Sequence, residues 1–141
     1  MRIVLDTNIL VSGFIWGGIP RQLLDIAHQN HITLYTSDVL LDELSDVLNR
    51  QKFADLLVTQ RIKPAFLVKR YKVLCSVVTP EPIERTVRDL DDDAVIATAL
   101  AAQARIIVSG DQDLLVLHPF NGIQILNAAD ALTSIQHSTI H

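Results

Sequence analysis

A chain of 141 residues has room for one domain, and 49% hydrophobic against 20% charged residues supply a core and exclude a disordered chain. A single cysteine, Cys75, excludes a disulfide framework or a thiolate zinc cluster within the chain. The formal net charge of -4 argues, taken as an average, against a protein that coats itself with nucleic acid.

In chain order, Arg2 to Leu5 is a short apolar run that reads as a buried strand. Asp6 ends it too early for a signal peptide, and no apolar stretch approaches the roughly 18 residues that span a bilayer. A soluble, cytoplasmic protein that does not engage membranes is expected. Gly13 and the stretch Trp16-Gly17-Gly18-Ile19-Pro20 read as loop, with Pro20 opening a helix through about Asn30. Ile32 to Thr36 alternates and reads as a second strand. Ser37 or Asp38 then caps a helix carrying Leu40, Leu41, Leu44, Val47 and Leu48. Two further helices are expected near 51–58 and 62–74, followed by a strand over Ser76 to Thr79 that Pro80 and Pro82 stop.

The acidic run Asp89 to Asp93 opens an alanine-rich helix, Ala94 to Gln103. Ile106 to Val108 is a strand broken at Gly110. A short helix around Asp113–Leu117, a strand over Ile123 to Leu126 and a helix from near Asn127 complete the chain. Strands alternating with helices predict an α/β fold with a central, mostly parallel sheet and helices on both faces. Residues 1–135 are expected to form this single domain, and 136–141 a flexible polar tail.

Ligands of an open parallel sheet bind beyond the carboxyl ends of its strands. Acids gather at such ends: Asp6 closes the first strand, Asp111 follows Ile106 to Val108, and Asp89, Asp91, Asp92 and Asp93 run into a helix. Glu43 lies in the helix after the second strand, at the edge of its apolar stripe. Each has a plainer reading: Asp111 as a helix cap, Asp113 as a cap or an exposed residue, Glu43 as solvent-facing, and part of the acidic run as a solvated helix start. Together, several carboxylates facing one cleft repel one another unless a cation sits between them. Oxygen donors of this kind suit Mg2+ or Mn2+ rather than zinc. His28 and His31 are three apart but span a helix end and a loop; with His118, His137 and His141 they read as ordinary histidines.

These segments resemble the PIN-domain ribonucleases, specifically the VapC-like toxin components of toxin–antitoxin pairs. Val4-Leu5-Asp6-Thr7-Asn8-Ile9-Leu10 is similar to the first motif, Asp42-Glu43-Leu44 to the second, Asp93-Ala94-Val95-Ile96-Ala97-Thr98-Ala99 to the third, and Val108-Ser109-Gly110-Asp111-Gln112-Asp113 to the fourth. The Gly17-Gly18-Ile19-Pro20 loop resembles one subgroup of that family. The resemblance implies a three-layer α/β/α domain. It implies Asp6, Glu43, Asp93 and Asp111 as catalytic, metal-holding acids, with Asp92 and Asp89 as alternatives for the third. Thr7, Asn8, Ser109 and Asp113 would support them, around one or two Mg2+ or Mn2+ ions. It further implies endonucleolytic hydrolysis of single-stranded RNA, a homodimer, and a cognate antitoxin as partner. A non-catalytic RNA- or protein-binding module and a stand-alone RNA-processing nuclease are the alternatives.

Other acidic α/β folds fit less well. A two-component receiver would carry a lysine after its last strand, where this chain has Leu126-Asn127. A haloacid-dehalogenase phosphatase would carry a second aspartate two residues after Asp6, where this chain has Asn8. Positive charge for an RNA is concentrated between Arg50 and Lys72, where seven basic residues meet one acid, Asp55, for a local +6. The remaining five basic and 15 acidic residues leave the rest of the chain at −10. Arg50, Lys52, Lys69, Arg70 and, beside the first strand, Arg21 are the candidate phosphate contacts; a solvated basic helix face accounts for the segment equally well. Phe66 and Tyr71 read as core.

Overall fold

The structure, a computed structural model, describes residues 1–29, 32–80 and 90–140, except for the side chains of 90–92 and 138–140. Among the described residues, five strands form one sheet: β1 (Arg2–Leu5), β2 (Thr33–Thr36), β3 (Ser76–Val77), β4 (Ile106–Val108) and β5 (Gln124–Leu126). Their order is β3-β2-β1-β4-β5, and every described pairing is parallel, so all five carboxyl ends lie along one edge. The helices are α1 (Thr7–Ile15), α2 (Gly18–His28), α3 (Asp38–Leu48), α4 (Gln51–Thr59), α5 (Pro64–Leu74), α6 (Leu90–Ala102), α7 (Gln112–Leu115) and α8 (Ala128–Ile140).

The layering follows from alternation along two central strands. Successive strand side chains point to opposite faces. Ile3, Leu5, Ile106 and Val108 enter one core with Leu10, Leu23, Leu44, Leu48, Tyr71 and Ile135, from α1, α2, α3, α5 and α8. Val4 and Ile107, which pair in register, enter the other with Val95, Ile96 and Ala99 of α6 and Leu114 of α7. The central strands are therefore apolar on both faces, and the domain has three layers.

One helix falls on residues for which the sequence suggests no element beyond a loop at Gly13. Thr7 to Ile15 is helical, with Asp6 as its N-cap. Gly13 sits inside it because a Cβ there would meet the backbone of Pro20 and Arg21 and the Leu24 side chain, each at 3.3 Å. The glycine permits close packing of α1 on α2, and the reversal between them uses positive φ at Gly17 and Gly18 (80° and 67°). Helix α2 starts at Gly18, inside the stretch expected as loop, and α7 spans Gln112–Leu115 rather than Asp113–Leu117; other differences are small. The Ser76–Thr79 run pairs only over Ser76–Val77, α6 begins within the acidic run at Leu90, and α8 carries helix through Ile140, into the polar stretch expected to be a tail. Among the described residues, no helix is long and apolar enough to cross a membrane.

Cys75 lies one turn beyond the buried Tyr71, at the end of α5. Burial pushes its thiol from the ordinary 9.0 up to about 12, only partly opposed by the Tyr71 hydroxyl. Burial likewise holds Tyr71 well above its ordinary 10.0, with the Cys75 charge adding to it. Both groups bind their protons more tightly when folded, so this contribution to stability is complete below about pH 9 and is lost as the pH climbs toward 12. Alkylation of Cys75 in the native chain is expected to be slow and to keep rising about tenfold per pH unit through and beyond pH 9, without a plateau at the ordinary thiol value. A rate that levels off near pH 9 would contradict this burial.

Candidate functional site

Asp6 and Ser109 follow directly from β1 and β4, which are neighbours, so both arrive at the carboxyl edge side by side. Backbone bonds lock the pair in place: Asp6 N–H donates to Val108 O (2.9 Å), and Ser109 N–H donates to Leu126 O (3.0 Å). The Asp6 side chain is only 5% exposed. Its Oδ1 accepts from Thr7 N–H at 2.7 Å, and its Oδ2 accepts from the Ser109 hydroxyl at 2.8 Å. Ser109 Oγ in turn accepts from Asp111 N–H at 3.0 Å, and Asp111 Oδ1 accepts from Asp113 N–H at 2.9 Å. One hydrogen-bonded chain thus runs from Asp6 through Ser109 to Asp111 and the start of α7.

This network gives each supporting residue a place. Thr7 is buried and opens α1, whereas Asn8 beside it is exposed. Asp111 is half-buried and caps α7; Asp113 is exposed and contributes its backbone N–H. Ser109 is fully buried, so Ser109→Ala would remove a hydrogen-bond partner from both Asp6 Oδ2 and the Asp111 N–H. A loss of about 1–3 kcal/mol is expected, read as a lower denaturation midpoint. An unchanged midpoint would show that the link carries no structural role.

Asp93 reaches the same edge from the helix layer. Arg2, at the amino start of β1, donates from its guanidinium to Ala102 O at the end of α6 (3.1 Å), so α6 runs antiparallel to β1. From Asp93 to Ala102 the helix rises about 13 Å, enough to carry Asp93 from there toward the carboxyl edge. Its side chain is 8% exposed. Glu43 lies in the second turn of α3, which starts at the end of β2 with Ser37 as its N-cap. The side chain is half-buried and its Oε2 is shielded from solvent. The N-termini of α1, α3 and α6 all open at this edge, and their dipoles favour the carboxylates there. Asp89 lies outside the described residues, as does the side chain of Asp92.

The donors are hard carboxylate oxygens, which suit Mg2+ or Mn2+. Among the described residues, no group of three or more His, Cys, Asp or Glu side chains is gathered closely enough to cage a metal ion. Mg2+ does not require such a cage, because it keeps several waters and binds through one or two carboxylates plus substrate phosphates. The buried Asp6, held rigidly by its two hydrogen bonds, and the nearby Asp111 fit that mode.

The cationic segment folds as the two helices α4 and α5. Arg50, Lys52, Lys69 and Arg70 are all exposed on it. Lys52 lies over the Phe53 ring (5.2 Å) and Arg70 over the Phe66 ring (5.6 Å). Phe66 was expected in the core, but it is 54% exposed, because the buried face of α5 is formed by Tyr71 with Leu67, Val68 and Leu74. Tyr71 is buried as expected and meets Phe14 edge-on, with ring centroids 6.4 Å apart. Arg21 is engaged with the end of α1, donating to Gly13 O (2.9 Å) and Phe14 O (3.3 Å).

A PIN domain family model matches residues 2–113, a span that contains Asp6, Glu43, Asp93 and Asp111. An uncharacterized protein of Methanocaldococcus jannaschii, MJ1680, is 29% identical over 122 residues, which cover 86% of this chain and 77% of that protein. By fold, the chain is similar to one in the crystal structure of VapBC2 from Rickettsia felis bound to a DNA fragment from their promoter. The TM-score is 0.62 at 15% identity, over 90% of this chain and 98% of that one. At that identity the likeness is one of fold.

Proposed function

This chain belongs to the PIN domain family, and from that premise we propose that its carboxyl edge is the active centre of an Mg2+- or Mn2+-dependent endoribonuclease acting on single-stranded RNA. The observation that carries the reading is the bonded chain Asp6–Ser109–Asp111 at the ends of two adjacent central strands. It holds one buried carboxylate rigidly and sets a second acid two residues from the serine. Asp6 and Asp111 would hold the cation, with Asp93 and Glu43 completing the acidic surround. Bound there, the cation would lower the pKa of a water and offset charge developing on the phosphate. The protein's own part is positional. Ser109 and the Thr7 N–H fix both oxygens of Asp6, so the carboxylate need not reorganise as charge develops.

The RNA backbone would be drawn by Arg50, Lys52, Lys69 and Arg70 in the α4 and α5 segment, the one strongly cationic stretch of an acidic chain. Action as the toxin of a toxin–antitoxin pair is part of this reading, and the fold shared with a VapBC2 chain supports it; a homodimer in the cytoplasm belongs to the same proposal. The test is incubation of the purified chain with an end-labelled single-stranded RNA in Mg2+ or Mn2+, alongside an EDTA control. Internal cleavage that EDTA stops is expected. RNA left intact with both metals would contradict the reading.

A further inference from the structure

Apolar side chains and a pair of hydroxyls meet between α3 and α6. Leu40 of α3 packs with Val95 and Ala99 of α6, yet between them sit two hydroxyls, Ser37 and Thr98, both fully buried. Their oxygens are 2.9 Å apart. Thr98 Oγ1 donates to Ala94 O at 2.8 Å, so its proton is committed and it accepts from Ser37. Ser37 Oγ accepts in turn from Leu40 N–H at 3.4 Å, as the N-cap of α3. Every proton in the row has one assigned acceptor: Leu40 N–H to Ser37, Ser37 to Thr98, Thr98 to the carbonyl next to Asp93.

An alanine or valine pair would fill this space without desolvating two hydroxyls, and in stability the exchange would be nearly neutral. A hydrogen bond adds a directional constraint that apolar packing lacks. It fixes the rotation and height of α3 against α6, and these helices carry Glu43 and Asp93. From this geometry we infer that Ser37 and Thr98 form a positioning clamp that sets the spacing of the Glu43 and Asp93 carboxylates at the metal-binding edge. The clamp acts through these acids and touches neither substrate nor cation. Its role rests on the nuclease reading, since without a cation the spacing has nothing to serve.

The test compares Thr98→Val and Thr98→Ala, which remove the hydroxyl, with Thr98→Ser, which keeps it. Each full-length variant is checked by circular dichroism and thermal melting. Mn2+ affinity is measured by calorimetry, apart from single-turnover RNA cleavage at saturating Mn2+. The hydroxyl-free variants are expected to bind Mn2+ about tenfold more weakly, the lower range for outer-shell partners, and to cleave more slowly. Thr98→Ser is expected to stay close to the parent in both. If Thr98→Val fails to fold, Thr98→Ala decides. Wild-type Mn2+ affinity and cleavage in Thr98→Ala, or a Thr98→Ser as impaired as Thr98→Ala, would overturn the clamp while leaving the nuclease reading in place. A parent chain that binds no Mn2+ and cuts no RNA would overturn the nuclease reading itself, and the clamp with it.

Discussion

Asp6→Asn is expected to lower RNA cleavage by more than about 100-fold, beyond the 10–100-fold typical when only an outer-shell partner of a metal is lost, while the fold persists. The fold persists because asparagine can take over the local bonds. Asn ranks with Asp as an N-cap, so its Oδ1 can accept from Thr7 N–H as the aspartate does. Its amide can face Ser109 Oγ, whose lone pairs allow it to accept. What is lost is charge. Removing one carboxylate from an acidic edge relieves repulsion, so without metal the variant should melt no lower than the parent. Added Mg2+ should raise the Tm of the parent and not that of the variant, because only a ligand that binds the folded state stabilises it. Full cleavage by Asp6→Asn in the presence of metal would remove Asp6 from the site.

The largest expected effect on stability is Leu44→Ala. Leu44 is fully buried on α3, directly after Glu43, in the core shared with β1, β4 and α1. Truncation forfeits its transfer energy and leaves a cavity in close-packed surroundings, at a cost of about 2–5 kcal/mol. That is a large share of the roughly 5–15 kcal/mol available to a domain. At about 3 °C per kcal/mol for a chain of this size, the Tm should fall by roughly 6–15 °C. Below the melting range the remaining folded fraction should still bind Mg2+ or Mn2+, because none of the carboxylates is touched. A Tm drop under about 3 °C would mean that α3 is not anchored through this residue.

The contrast between these residues explains what could be read in advance. β1 and β4 announce themselves as short apolar runs ending in a polar residue, and parallel alternation then forces Asp6 and Ser109 onto one edge. The acids at strand ends were therefore legible without coordinates. Helix α1 was not. Its residues Ile9, Leu10 and Val11 are buried in succession, which blurs the helical period, and Gly13 suggests a break where it in fact permits contact with α2. Phe66 misled because an aromatic within an apolar-rich helix reads as core until the buried face of α5 is known. Ser37 could be read as a cap, but its bond to Thr98 spans 61 positions and has no local signature. The charge of -4 conceals a basic segment that the sequence already shows, and the structure adds that Arg50, Lys52, Lys69 and Arg70 are exposed on it.

All of this rests on a divalent cation at the carboxyl edge, beside the chain of bonds from Asp6 to Asp111. The most direct measurement is anomalous scattering from crystals of the full chain soaked in Mn2+. A peak within coordination distance of an Asp6 carboxylate oxygen, absent from Asp6→Asn crystals treated identically, is the predicted result. Saturating Mn2+ with no peak at this edge would contradict it.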